Sequence, residues 1–348
     1  MKSLTVAVGL ALAALVASVS PAAVLVAPDA AEHRCKPGFR HAVIAARHTC
    51  LRAGQRCARR SDRRYHRYDF HCHGARLTDA RPSSLTFPVR AAFYYPWFPE
   101  TWTVRGRHVL YNPALGYYDS SDRAVVRAHI RQLQYGRFKA AIASWWGRGT
   151  HFESTRLPLL LDTTASLGST PKWAIYYERE GSSDPSVAEL ESDLAYLARY
   201  TRHASYARVA GKPLIFVYNA NDSSCEVASR WKQAAARWYV VLKVFPGYAG
   251  CASQPDSWHQ YAPANAESNH APHSFSISPG FWAANEASPR LRRDVTRWRQ
   301  SVRAMIASGA RWQLVTTFNE WGEGTAVESA REWASGSGRG AYLDALHE

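Results

Sequence analysis

The segment Gln313 to Thr325 reads QLVTTFNEWGEGT, an apolar, β-branched run that stops at Asn319 and is followed at once by Glu320 and Glu323. Two carboxyl groups so close in sequence suit general acid/base work, in which one group gives a proton while the other takes one. Trp321 and neighbouring aromatics can desolvate one carboxyl and raise its proton affinity. Asn319 can hydrogen-bond the other and hold it ionised. The residues leave open which carboxyl takes which role, and how far apart the two sit. Gly322 and Gly324 would make a poor first helical turn, which counts against the alternative that the acids merely open a helix. Glu328 reads as structural.

Such a pair needs a scaffold. From Leu85 onward, short apolar runs alternate with helical patterns, the signature of parallel βα units. Strands are expected at Val89–Tyr95, Ala140–Trp145, Lys172–Tyr177, Pro213–Tyr218, Tyr239–Phe245, Trp258–Tyr261, Ser274–Ser278 and Gln313–Phe318. Helices are expected at Asp122–Tyr135, Val187–Tyr200, Glu226–Ala236 and Arg290–Ala307, with a weaker one around Glu153–Leu167. The fifth and sixth helices are barely visible within Gln254–His270. This order predicts an α/β fold, a (β/α)8 barrel. The rival is an open doubly wound sheet. It would carry a Gly-rich phosphate turn after its first strand, where this chain runs into Tyr94-Tyr95-Pro96-Trp97.

In a barrel the functional groups gather at the carboxyl ends of the strands. Those ends hold Tyr94, Tyr95, Trp145, Trp146, Tyr177, Glu178, Lys243, Asn319 and Trp321, all taken as candidate substrate-binding residues. Aromatic walls with a few fixed polar groups fit the apolar C–H faces and polar rim of a sugar. Neighbouring strand residues face opposite ways, so one of Tyr94 and Tyr95 should point inward. Gly147 after Trp145 and Trp146 allows both to approach the site if the strand has ended. Glu178 is either a hydroxyl ligand or a salt-bridge partner of an Arg. Lys243 either faces the mouth or snorkels outward.

Three stretches, AAFYYPWF, ASWWGRG and TTFNEWGEGTAVESA, together with YNPALGYYDSSD, resemble glycoside hydrolase family 99, the endo-α-mannosidase group, and the wider set of family-99-like barrels. The resemblance covers about residues 88–348 and is most specific after the last strand. It implies catalytic roles for Glu320, as base towards the substrate 2-hydroxyl, and for Glu323, as general acid at the leaving oxygen. The reaction would pass through a 1,2-anhydro sugar and retain anomeric configuration. The chain departs from the pattern at Gly322, where family members often have His. Alternatives are a non-catalytic polysaccharide-binding barrel, or a barrel acting on another α-glycan such as α-glucan or rhamnan.

The front of the chain has a different character. Lys2, an apolar run from Leu4 to Val19 and small residues at Ser20, Ala22 and Ala23 read as a signal peptide within residues 1–30. The run is too short to span a bilayer comfortably, so no membrane span is expected once it is removed. The protein is therefore expected to be secreted or associated with a bacterial cell envelope. Of the 348 residues, 43 are basic and 28 acidic, and residues 31–82, with thirteen Lys/Arg against four Asp/Glu, carry +9 of the resulting +15 charge. Residues 33–77 form a basic module with Cys35, Cys50, Cys57 and Cys72, expected to be stapled by two disulfides of unspecified pairing. Zinc on Cys57, His71, Cys72 and His73 is the rival, although no Cys-x-x-Cys pair is present. This module is the candidate contact for an anionic cell-envelope polymer, and no nucleic-acid partner is expected. Cys225 and Cys251 lie beyond neighbouring strands on one face and are expected to pair. With no His-Glu-x-x-His, phosphate loop or Asp-rich calcium loop, no cofactor and no metal are expected. The domain reading is thus a signal peptide over residues 1–30, a basic module and linker over 31–80, and a glycoside hydrolase-like barrel over 86–348.

Overall fold

The computed structural model describes residues 35–348, apart from 69, 74, 80–83, 150–154, 169 and 220–223. The expected signal peptide lies outside the described residues. The chain forms two compact units, Met1–Asp79 and Ala80–Glu348.

The first unit is small and relies on covalent staples. Its strands Arg40–Ile44 and Arg47–Leu51 form one antiparallel hairpin, and Phe70–His73 and Arg76–Asp79 form another. Its apolar core is little more than Ala42, Leu51, Tyr65, Phe70, Cys72 and Leu77. Two disulfides, Cys35–Cys50 and Cys57–Cys72, resolve the open pairing as sequential. This takes Cys57 and Cys72 out of the set of possible zinc ligands. Each closes a loop of 15 residues, worth about 3 kcal/mol by loss of unfolded-chain entropy. That gain compensates for so thin a core.

The second unit is the barrel. Its strands are β1 (Val89–Tyr94), β2 (Ala140–Trp145), β3 (Lys172–Tyr177), β4 (Lys212–Val217), β5 (Tyr239–Lys243), β6 (Ser257–His259), β7 (Ser274–Ile277) and β8 (Trp312–Val315). Parallel ladders join β7–β8–β1–β2–β3–β4–β5–β6 in that order. Among the described residues β6 and β7 share no ladder. Ser276 Oγ instead donates to the Gln260 carbonyl across that seam at 2.7 Å.

Alternation along the strands separates two apolar layers. Val89, Ala91, Phe93, Ile142, Tyr176, Phe216, Val241, Trp312 and Leu314 fill the barrel interior. Ala92, Tyr94, Ala141, Trp145, Ile175, Tyr177, Val217, Val240 and Val315 face the surrounding helices.

The helices are α1 (Arg123–Tyr135), α2 (Leu157–Leu167), α3 (Val187–Thr201), α4 (Cys225–Ala234), α5 (Val295–Ala307) and α6 (Ala341–His347). Their starts are chemically marked. Asp122 caps Ala124 N–H, Ser186 and Glu189 form a reciprocal capping box, and Ser224 caps Glu226 N–H. The helix expected from Arg290 starts later, because Asp294 accepts from the Thr296 and Arg297 N–H groups. The expected fifth and sixth helices are absent from the described residues of Gln254–His270. Strand Glu267–His270 folds back antiparallel on β7 there. The Cys225–Cys251 disulfide ties the start of α4 to the loop after β5.

Candidate active site

Beyond β8 the chain forms a tight loop. Thr317 N–H donates to the Thr325 carbonyl at 3.1 Å, and Thr325 N–H donates back to the Glu320 carbonyl at 3.2 Å. Thr317 Oγ1 also accepts from Glu320 N–H at 2.8 Å. The loop after β7 is stitched on by Trp282 N–H to the Glu323 carbonyl and Ala284 N–H to the Gly322 carbonyl, each 2.9 Å. Gly324 has φ +64°, and a Cβ there would sit 2.7 Å from the Trp282 carbonyl oxygen, so the position requires glycine.

Within this frame Glu320 is buried. Its Oε1 accepts from Gly322 N–H at 3.0 Å, and its Oε2 has no protein partner. Glu323 Oε2 accepts from the Tyr261 hydroxyl at 2.9 Å, and that hydroxyl accepts from Tyr95 at 3.1 Å. Glu178, at the end of β3, is also buried, with Oε1 unpartnered. Three carboxyl groups with open valences thus gather among the rings of Phe93, Tyr95, Tyr176, Tyr218 and Tyr261. Centroid distances from Tyr261 are 5.1 Å to Phe93, 6.1 Å to Tyr176 and 5.9 Å to Tyr218.

The electrostatics follow from this crowding. Burial pushes Glu320 well above the ordinary carboxylate range, and the Glu323 charge adds to the shift. Burial also raises Glu323, against the Tyr261 hydrogen bond and the Arg290 charge. Glu178 is pushed up to about 8 by burial, eased by the Ser144 hydroxyl and reinforced by Glu323. All three are shifted towards the protonated form, which suits groups that hold and pass on protons.

Tyr94, Trp145 and Tyr177 are corrected by strand parity: all three point outward into the helix layer. Tyr94 Oη lies 2.9 Å from His129 Nδ1, and the Tyr177 hydroxyl donates to Asp193 at 2.9 Å. Trp321 is fully buried, stacked 5.9 Å from Trp333, and its indole N–H donates to Tyr118 and Glu328. It therefore packs under the loop and presents no face to a ligand. Asn319 does not hold a carboxylate. Its side chain accepts from Tyr95 N–H at 2.7 Å and donates to the Tyr95 carbonyl at 2.9 Å, clamping the β8 loop to the end of β1. Glu328 braces the same loop from behind, with Oε1 3.1 Å from His129 Nε2 and Oε2 accepting from Tyr118 at 2.7 Å.

Tyr95 and Glu178 stand in the basin. Trp146 is 41% exposed beside Trp97, with rings 6.2 Å apart, and forms an open aromatic edge at this end of the barrel. Lys243 lies to one side, donating to the Asn219 carbonyl at 3.1 Å. Sequence reasoning passed over Tyr176, Tyr218 and Tyr261 as site residues. Tyr176 had a usable signal, because it shares the parity of Glu178 two residues on. Tyr261 had none, since its hydroxyl reaches Glu323 only through the barrel closure.

A family model described as "Glycosyl hydrolase family 99" matches residues 107–237, a stretch that includes the Glu178 strand end but stops short of Glu320 and Glu323. The fold also superposes on the GH99 endo-α-mannosidase of Bacteroides thetaiotaomicron, with a TM-score of 0.57 and 21% identity over 76% of this chain and 96% of that one. The chain is similar to family 99 over the matched stretch and to its barrel in fold. A glycoside hydrolase-like protein superposes on this chain with a TM-score of 0.54 at 17% identity, over 79% of this chain and 96% of that chain. At such identities the superpositions bear on the fold alone. An uncharacterised protein, WxcX, of Xanthomonas campestris pv. campestris is 28% identical over 248 residues, 67% of this chain and 33% of that protein. The chain thus spans about a third of the length of the curated relative it matches. The family match over residues 107–237 is what bears on activity, and it supports a glycosidase.

Proposed function

We propose that the protein is a retaining glycosidase of the endo-α-mannosidase type, cleaving α-linked glycan with Glu320 and Glu323. The observation that carries this reading is the pair itself, buried Glu320 with a free Oε2 and partly buried Glu323 hydrogen-bonded by Tyr261, on one hydrogen-bonded loop inside an aromatic basin. Glu320 takes the proton of the substrate 2-hydroxyl, and that oxygen attacks C1. The C1–O bond breaks, and the Glu323 proton goes to the leaving oxygen. Water then opens the 1,2-anhydro sugar at C1, giving its proton to Glu323 while O2 recovers one from Glu320. The carboxylate with the greater proton affinity is the stronger base, and burial supports Glu320 in that role. Tyr261 and Arg290 oppose the rise at Glu323, which makes it the stronger acid of the two. The working form has the proton on Glu323 and the charge on Glu320. It is the minority of the two one-proton forms, and each group is correspondingly more reactive in its role.

The test is digestion of an α-glycan panel by wild type, Glu320→Gln and Glu323→Gln, with an aryl glycoside of good leaving ability alongside. Wild type alone should release reducing ends of retained configuration. Glu323→Gln should keep measurable activity on the aryl glycoside, where no proton is needed at the leaving group. If all three bind glycan and none cleaves any, the protein is a binding barrel and the enzymatic reading falls.

Export is part of the same proposal. Three disulfides suit an oxidising compartment, and among the described residues no helix is long and apolar enough to cross a membrane. Retention at an anionic envelope polymer through residues 33–77 rests on their basic composition. Deleting them should release the protein from the envelope, and unchanged retention would remove that role.

A further inference from the structure

Beside the carboxylate basin lies a second cavity of about 490 Å³, at the carboxyl ends of β4 and β5. Its polar lining comes from Asn219, Lys243, Tyr248, Gln260 and His270, and no Asp or Glu is among its lining residues. Lys243 supplies its charge. Among the described residues the ammonium has no carboxylate partner; it donates to the Asn219 carbonyl at 3.1 Å and stands 5.1 Å from the Tyr218 ring centroid. A half-buried cation held by a neutral carbonyl and a ring face keeps donor capacity for an anion.

A run of aromatic contacts leads from Lys243 towards the reaction centre. Tyr218, over which Lys243 sits, lies 5.9 Å from the Tyr261 ring, whose hydroxyl donates to Glu323. A saccharide with its scissile bond at Glu323 would extend along these rings towards Lys243. The far wall is rigid. Gln254 donates to the Tyr248 and Cys251 carbonyls at 3.1 and 2.8 Å, and Cys251 is bonded to Cys225. Tyr248 Oη lies 3.4 Å from His270 Nδ1.

We infer that this cavity is a subsite for a sugar bearing a carboxylate, so that the preferred substrate is an acidic α-glycan containing a hexuronate or a similar monoacid. The inference rests on Glu320 and Glu323 being the cleavage centre. The balance of charge favours a carboxylate over a phosphate: a single ammonium meets a single negative charge, with Gln260 at hand as a neutral donor. His270 adds little charge at neutral pH, because burial pushes its imidazole below the ordinary value.

The experiment measures equilibrium binding to the inactive Glu320→Gln protein and turnover by the active one. Probes are a neutral α-linked oligosaccharide, the same chain with one hexuronate, and the same chain with one phosphate monoester. The hexuronate chain should bind most tightly. Lys243→Met should weaken that binding roughly 10- to 100-fold, leave the neutral chain unchanged, and be largely rescued in Lys243→Arg. Equal loss for neutral and acidic chains, or tighter binding of the phosphate chain, would overturn the subsite. Cleavage of the hexuronate chain with a KM indifferent to Lys243 would remove the subsite but keep the glycosidase. Lys243-dependent binding of the hexuronate chain without cleavage by wild type would keep the subsite and remove the glycosidase.

Discussion

The Tyr261 hydroxyl donates to Glu323 Oε2 at 2.9 Å while accepting from Tyr95, so a barrel-wall phenol sets the proton affinity of the loop carboxylate. The bond favours the ionised form of Glu323 and opposes the rise caused by burial. Tyr261→Phe removes it, and the proton affinity of Glu323 should rise further. In the proposed mechanism the pair works with one proton between its members, so Glu323 would govern the acidic limb of kcat/KM against pH, and Glu320 the alkaline limb. The acidic limb should move upward while the alkaline limb stays. Movement of the alkaline limb instead would reverse the order of the pair.

Glu178 gives a stability prediction. Its folded value of about 8 lies above its ordinary value of 4.5. The native state therefore binds more protons than the unfolded chain between these values. The stability that protonated Glu178 permits is present below about pH 4.5 and is lost as pH rises towards 8. Glu178→Gln keeps the shape without the charge. It should raise Tm at pH 8 by several degrees and change it little at pH 4.5, as read by thermal denaturation. An equal effect at both pH values would rule out a buried, protonated carboxyl.

Gly322 touches Glu320, the proposed base. A Cβ at this position would lie 2.9 Å from both Glu320 Oε1 and Val104 Cγ2. Gly322→Ala should therefore displace the carboxylate and cut kcat by roughly 10²-fold, with little change in Tm, because misplacing a reacting group by even 1 Å is costly. Activity within a factor of about two of wild type would mean that Val104 yields at no cost to the base.

Asn319 is predicted to act through stability and positioning. Asn319→Ala strands the buried N–H and carbonyl of Tyr95. The expected loss is about 3 kcal/mol, or a fall in Tm of roughly 5–10 °C. Activity should fall at temperatures where the protein is still folded, since Tyr95 and the loop lose their common clamp. A variant with unchanged Tm would show that water replaces the amide.

The sequence by itself determined the elements. Apolar runs at the right intervals located all eight barrel strands to within a few residues, because a strand covered on both faces must be continuously apolar. The family resemblance rested on residues at strand ends, where the fold puts its chemistry. Sequence also set the two acids and the glycines around them, including Gly324, whose positive φ leaves little other choice. Only the tertiary structure decided which aromatics serve the site. A shift of one residue exchanges the barrel interior for the helix layer, so Tyr95 enters the basin while Tyr94 packs on His129, and Tyr176 enters while Tyr177 binds Asp193. The tertiary structure also gave Asn319 its partner, 224 residues away in the chain, and brought Tyr261 to Glu323 across the closed barrel. Those contacts are long-range and depend on how the strands close around one another, which no local pattern records.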